Sequence, residues 1–228
     1  MAAAGYASGV IVVIGSPSAS VTESGRRAAG PAVDVARAAV AAEAPVQIAG
    51  RVGEDAAGND VLLDLAAAGI GHATILRDAG HATWETAPPG ESDASPFEDG
   101  EIAPRIPATG TAAISPVDAA DVELALRYLP EYRVVVVVDP LDDAALRSAA
   151  DAARWAGAAL VVVVAAGAIP PAWLEPDATV LEAPAEDDGA FATFVGEYAA
   201  RLDRGEPPAD AFAAASGRVG WTAAVADA

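Results

Sequence analysis

Two short stretches of the chain carry residue types that could do chemistry. The first, Glu186-Asp187-Asp188-Gly189-Ala190-Phe191-Ala192-Thr193-Phe194-Val195-Gly196, sets two aspartates and a glycine just ahead of an apolar helical stripe. A glycine turn at a helix start offers unsatisfied N–H groups and the positive end of the helix dipole, a combination that holds anions. The same geometry lets an acid cap the helix by accepting one of those N–H bonds. A phosphate would compete with Asp187 and Asp188 for the donors, so the residues alone favour capping. The second stretch, Gly15-Ser16-Pro17-Ser18-Ala19-Ser20, follows an apolar β-type run. In an open α/β sheet, ligands bind just past the carboxyl ends of strands; a plain Ser/Pro turn is the structural alternative. Asp139, at the end of "VVVVVDP", is placed in the same way, either to touch a ligand or to start an Asp-Pro turn.

Other chemistries find no support. There is no GxGxxG fingerprint, no Walker A loop and no GxSxG elbow. His72 and His81 are the only histidines, no cysteine accompanies them, and their spacing does not suit helical metal ligation. No metal site is expected, and a structural disulfide is ruled out.

The elements that must position these residues alternate in type. Apolar, β-branched runs at 10–15, 46–50, 73–77, 133–139 and 159–165 suit strands buried on both faces of a parallel sheet. Helical patterns lie between them: Pro31 to Ala44, with proline at the start; Ala56 to Ala68, stopped by Gly69; Val117 to Leu129; and Asp142 to Ala156, stopped by Gly157. A further helix over 190–202 puts Phe191, Phe194, Val195, Tyr198 and Leu202 on one stripe, and "PPADAFAAASG" begins another. The pattern predicts an α/β sandwich in a single domain spanning residues 1–228. Residues 86–111, rich in Pro, Gly, Ser and acids, read as a loop with at most vestigial edge strands.

Composition narrows the partners. The 33 acids face 13 basic residues, all of them arginine, for a formal charge of −20. Such a field repels nucleic acid and anionic membranes, so neither is an expected partner. No apolar run reaches the roughly 20 residues that cross a bilayer, and no signal peptide is apparent, so a cytoplasmic location is expected.

The stretch Gly50-Arg51-Val52-Gly53-Glu54-Asp55-Ala56-Ala57-Gly58, continuing through "NDVLLDLAAAGI", closely resembles the "GxVGxDxxG…LxxxGV" segment of the ribokinase-like (PfkB) sugar kinases. Before it, "AGPAVDVARAAVAAEAPVQIAG" is similar to the family's "GGxxxNvAxaLarLGapvxxiG". Near the end, "DDGAFATFVGEYAARLDRGEPPADAFAAA" is similar to "TTGAGDxFxGxxxxxLxxGxxxxxAxxxA". The resemblance implies a three-layer α/β/α fold with a mostly parallel sheet. In intact members it also implies transfer of the ATP γ-phosphoryl group to a sugar or nucleoside hydroxyl. That reaction needs an aspartate to accept the hydroxyl proton and backbone N–H groups to hold developing charge.

Carried over, the family's GAGD becomes Gly189-Ala190-Phe191-Ala192. A remnant anion hole (Gly189, Ala190, Phe191) is left, with Ala192 at the base position, and no catalytic residue remains. Only Asp187 and Asp188 are candidate substitutes for the base. The sugar-binding positions correspond to Ser18, Ser20, Gly30, Asp34 and Gly53, with serine in place of the acid and Asp34 in place of an asparagine. The chain between Ser20 and Gly30 is short for the strands of a lid, which is expected to be reduced or absent, and the "TxGxxG" nucleotide loop has no counterpart. Phosphoryl transfer depends on placing all these groups together. The expectation is therefore an inactive homologue, a pseudokinase, that binds a small polar ligand or a protein partner without a cofactor. The alternative is an active sugar or nucleoside kinase with an atypical base, requiring ATP and Mg²⁺. Oligomeric state is left open.

Overall fold

The computed structural model describes residues 9–23, 25–86, 106–107, 116–129, 131–174, 178–185 and 189–220. Six strands build the main sheet: β1 (Val10–Ile14), β4 (Val46–Gly53), β5 (Gly71–Asp78), β8 (Tyr132–Val137), β9 (Ala159–Val164) and β10 (Ala178–Glu182). Their order is β10-β9-β8-β1-β4-β5, and every neighbouring pair is parallel. Strand order therefore reverses direction at β1, which puts the topological switch point between β1 and β8.

The continuous apolar runs are explained by two cores. Along β1, Ile11 and Val13 enter one core while Val12 and Ile14 enter the other; along β8, Val134 and Val136 oppose Val135 and Val137 in the same way. A strand buried on both faces cannot alternate apolar with polar residues. Helices α1 (Pro31–Ala41), α2 (Ala56–Ala67), α5 (Ala190–Asp203) and α6 (Pro208–Arg218) supply the first core. Helices α3 (Ala119–Tyr128) and α4 (Asp143–Ala156) supply the second. Their boundaries follow local chemistry. Pro31 opens α1, Asp118 and Asp121 form a capping box on α3, Asp142 caps α4, and Gly157 ends α4 in the left-handed conformation. Helices α1 and α5 pack closely because Gly196 has no side chain: a Cβ there would lie 2.5 Å from Ala38 Cβ and 2.7 Å from the Val35 carbonyl oxygen.

A second sheet differs from the sequence expectation. Strands β2 (Ser18–Thr22), β3 (Gly25–Ala29), β6 (Trp84–Thr86) and β7 (Ile106–Pro107) assemble in the order β3-β2-β6-β7. The segment between Ser20 and Gly30, judged short for lid strands, holds an antiparallel pair in register from Ser18↔Ala29 to Thr22↔Gly25. A hairpin needs only a tight connection, so ten residues suffice where a crossover would not fit. Ser18 to Ser20 is accordingly strand rather than turn. The second sheet thus lies where the resemblance expects lid strands to be reduced or absent. Within 86–111, Thr86 ends β6 and Ile106–Pro107 form β7; the rest of that segment lies outside the described residues.

Candidate functional site

The "GRVGEDAAG" motif folds into a junction. Asp55 caps α2: one carboxylate oxygen accepts the Gly58 N–H at 2.7 Å and the Thr83 hydroxyl at 2.8 Å, and the other accepts the Thr83 N–H at 2.8 Å. The Thr83 oxygen in turn accepts the Gly53 N–H at 2.9 Å, and Thr83 is fully buried. Burial pushes the Asp55 carboxyl upward; the donors from Gly58 and Thr83 outweigh it and hold Asp55 below the ordinary carboxylate range. Gly58 must be glycine, since a Cβ would lie 2.3 Å from the Gly53 carbonyl oxygen. The motif therefore ties the end of β4 and the start of α2 to the residue just before β6, a strand of the second sheet. Gly53, Asp55 and Gly58 are engaged in holding this junction.

At the switch point, the Ser16 N–H donates to Asp139 Oδ2 at 2.7 Å, and the Arg51 N–H donates to Ser16 Oγ at 3.1 Å. These bonds fasten the carboxyl ends of β1, β4 and β8 together. Beside them opens a cleft of about 790 Å³, within the range of small-molecule sites. Its floor is the carboxyl ends of β8 and β9, from Val137 to Leu141 and from Val162 to Ala165. One wall is the start of α1, with Pro31, Asp34 and Val35; another is the start of α5, with Phe191 and Ala192. Trp84 of β6 and Ile169, which is 94% exposed, complete the rim.

Of the positions singled out in the sequence, the cleft gathers Asp34, Asp139, Phe191 and Ala192. The others lie elsewhere. Ser18 is buried, its hydroxyl donating to the Ala29 carbonyl at 3.0 Å. Ser20 sits in β2 opposite Arg27 and Thr86. Gly30 precedes α1 with φ of 100°, and Gly53 is held by Thr83. Gly189, with φ of 92°, is the residue before α5, and Ala190 is the first residue of the helix. Asp187 and Asp188 lie outside the described residues. His81 Nδ1 is 2.7 Å from Asp78 Oδ2, and His72 Nδ1 is 3.3 Å from the Ile70 carbonyl oxygen. Trp84, Asp143 and the Ile169 rim escaped the sequence reading. Only the tertiary fold brings residues from α1, β6, β8, β9 and α5 to one opening.

The Phe191 side chain packs inward. It is buried and forms a chain of ring contacts with Phe194, Tyr198 and Phe212; the centroid spacing from Phe191 to Phe194 is 6.3 Å and from Phe194 to Phe212 is 5.1 Å. Asp34, Asp139 and Asp143 line the cleft, and no arginine or histidine does among the described residues. Arg147, at 2.8 Å, and then the Trp173 indole N–H, at 2.9 Å, hold Asp143 below the usual carboxylate range. Arg147 also lies over the Trp173 ring at 4.2 Å. A nucleoside triphosphate is held by cations or converging N–H donors; the described lining brings no cation, while the starts of α1 and α5 bring helix N–H groups. Among the described residues of the cleft only its carboxylates could hold a divalent ion, and no cluster of three or more metal-ligating residues occurs among the described residues.

No protein-family model matches the sequence, and neither does any curated protein sequence. Solved structures do match. A PfkB protein from Polaromonas sp. JS666 superposes with a TM-score of 0.63 at 16% identity, covering 93% of this chain and 95% of that one. Arabidopsis thaliana ribokinase, complexed with ribose and ATP, gives 0.59 at 15% identity over 93% and 91%. Aminoimidazole riboside kinase from Salmonella enterica gives 0.62 at 15%, over 92% of each chain. The fold is ribokinase-like, an α/β architecture shared with these sugar and riboside kinases. Among the described residues, no helix is long and apolar enough to cross a membrane.

Proposed function

We propose that this chain is a non-catalytic ribokinase-like protein that binds a small ligand in the cleft beside the switch point. The observation that carries this reading is the pairing of Phe191 with Ala192 at the mouth of the cleft. The base position offers a methyl group where a proton acceptor is needed, and the neighbouring position carries a side chain where the resemblance expects a glycine. Loss of a positioned base alone costs about 10²–10⁴-fold in rate, and loss of anion stabilisation costs a comparable factor. Lining carboxylates add repulsion against a triphosphate. The reading predicts no ADP formation above background when the protein is incubated with ATP, Mg²⁺ and a panel of sugars and nucleosides. Turnover with any acceptor would remove it.

A second reading, an ATP- and Mg²⁺-dependent sugar or nucleoside kinase with a displaced base, draws on one feature: Asp34 and Asp139 line the same cleft as Ala192. If turnover is found and Asp139→Asn abolishes it with the fold intact, the second reading replaces the first.

A further inference from the structure

We infer that the second sheet is a flap that opens from the main body as a unit, and that Asp60 and Asp64 of α2 clamp it shut. Such a flap stands whether the cleft only binds its ligand or also turns it over. Apolar packing contributes little to the attachment. Among the described residues, the second sheet supplies only Ala19 and Ala28 to either core, whereas β1 alone supplies Ile11, Val12, Val13 and Ile14. Two methyl groups bury far less surface than four branched side chains, and elements with few buried apolar contacts open at the lowest free energy.

Polar bonds take over that role, and α2 supplies their acceptors. Asp64 Oδ2 accepts the Ala28 N–H of β3 at 3.0 Å and is itself held by Arg37 of α1 at 2.6 Å. Asp60 lies 3.6 Å from Arg26 of β3. The Asp64 bond is charge-assisted and half-buried, so it carries more of the clamp than the exposed Arg26–Asp60 pair. Other bonds tie the strands of the sheet to one another. Arg26 Nε donates to Glu85 of β6 at 2.7 Å, the Ser18 hydroxyl to the Ala29 carbonyl at 3.0 Å, and the Thr86 hydroxyl to the Ala19 carbonyl at 3.3 Å. The sheet therefore keeps its own bonds when those to α2 break. Its pivots lie where the chain leaves it: Gly30, with φ of 100°, between β3 and α1, and the fully buried Thr83, bonded to Asp55, before β6. Trp84 rides on β6 at the rim of the cleft, so the flap carries part of the cleft wall with it.

The chain has no cysteine, so a single introduced thiol reports opening. Ala19→Cys and Ala28→Cys place it under the flap, at positions 0% and 1% exposed. Ala153→Cys, at 1% in the second core, reports global unfolding. Reaction with dithiodipyridine, an uncharged chromogenic disulfide, is followed across a urea series. Both flap thiols are expected to react about tenfold or more faster than the Ala153→Cys variant, with a weaker urea dependence because less surface is exposed. Adding Val135→Ala, which opens a cavity in the second core, should speed the Ala153→Cys variant about tenfold or more. It should leave the flap thiols unchanged, since that core stays intact when only the flap opens. Adding Asp64→Ala should speed both flap thiols about tenfold or more. If one flap variant fails to fold, the other carries the test. Equal rates with equal urea dependence at all three positions, acceleration of the flap thiols by Val135→Ala, or flap thiols indifferent to Asp64→Ala would each overturn the inference. ADP formation in the kinase assay would instead overturn the non-catalytic reading and leave the flap standing.

Discussion

Asp203 closes α5 at the end opposite the cleft, and its carboxylate is 1% exposed with Oδ1 lacking a hydrogen-bond partner among the described residues. Burial pushes its titration upward; Arg133, the Gly9 N–H and Arg204 oppose that shift without cancelling it. A carboxyl raised above its unfolded value contributes stability below the unfolded pKa, near 3.9, and loses it as pH rises through the folded value. Asp203→Asn is therefore expected to raise the urea midpoint at pH 7 and to lose that advantage near pH 4. A midpoint that falls at pH 7 would show that the attraction to Arg133 and Arg204 outweighs desolvation. The same scale explains why Phe191 and Ala192 could be recognised as departures in the sequence. Each is a change of residue type at a position whose neighbours still match the motif.

Between elements, the Asp55–Thr83 contact decides how the second sheet is attached. Asp55 accepts three bonds, and the two from Thr83 join the β4–α2 turn to the segment leading into β6. A helix cap is worth about 1 kcal/mol, and a hydrogen bond to a charged acceptor contributes about 1.5–3 kcal/mol net. Asp55→Ala should thus cost roughly 3 kcal/mol in chemical denaturation, with faster hydrogen exchange concentrated in β2, β3 and the start of α2. Because the Asp55 carboxyl titrates below its ordinary range, its contribution is present above the unfolded pKa and disappears as pH falls through the folded value. Uniform loss of protection across the main sheet would contradict a local attachment. The motif was visible as a string of letters, but its partner Thr83 was not. The contact spans 28 residues, and nothing in local spacing announces it.

For the whole molecule, charge is the dominant imbalance. Thirty-three acids face 13 arginines, and short ion pairs such as Arg51–Asp121 at 2.6 Å and Arg37–Asp64 at 2.6 Å already occupy several of them. The remaining carboxylates repel one another across the surface, and salt screens that repulsion over about 8–10 Å at physiological strength. Raising NaCl from about 0.05 M to about 1 M should increase Tm, by about 2–4 °C for each kcal/mol of repulsion relieved in a domain of this size. A falling Tm would mean that the ion pairs, rather than the excess charge, dominate the response.

The sequence by itself determined the strand and helix segments, the parallel character of the main sheet and the altered residues at the start of α5. All of these are local: they depend on runs, caps and residue identity at a matched position. Tertiary structure decided what the letters could not express. The hairpin of β2 and β3 arises from pairing across a tight turn, and β10 joins the edge of the sheet next to β9. The cleft is assembled from the start of α1, the ends of β8 and β9, β6 and the start of α5. Whether Asp34 and Asp139 share an opening depends on distances through space between residues 105 positions apart in the chain. Only the folded sheet, reversing direction at β1, brings them together.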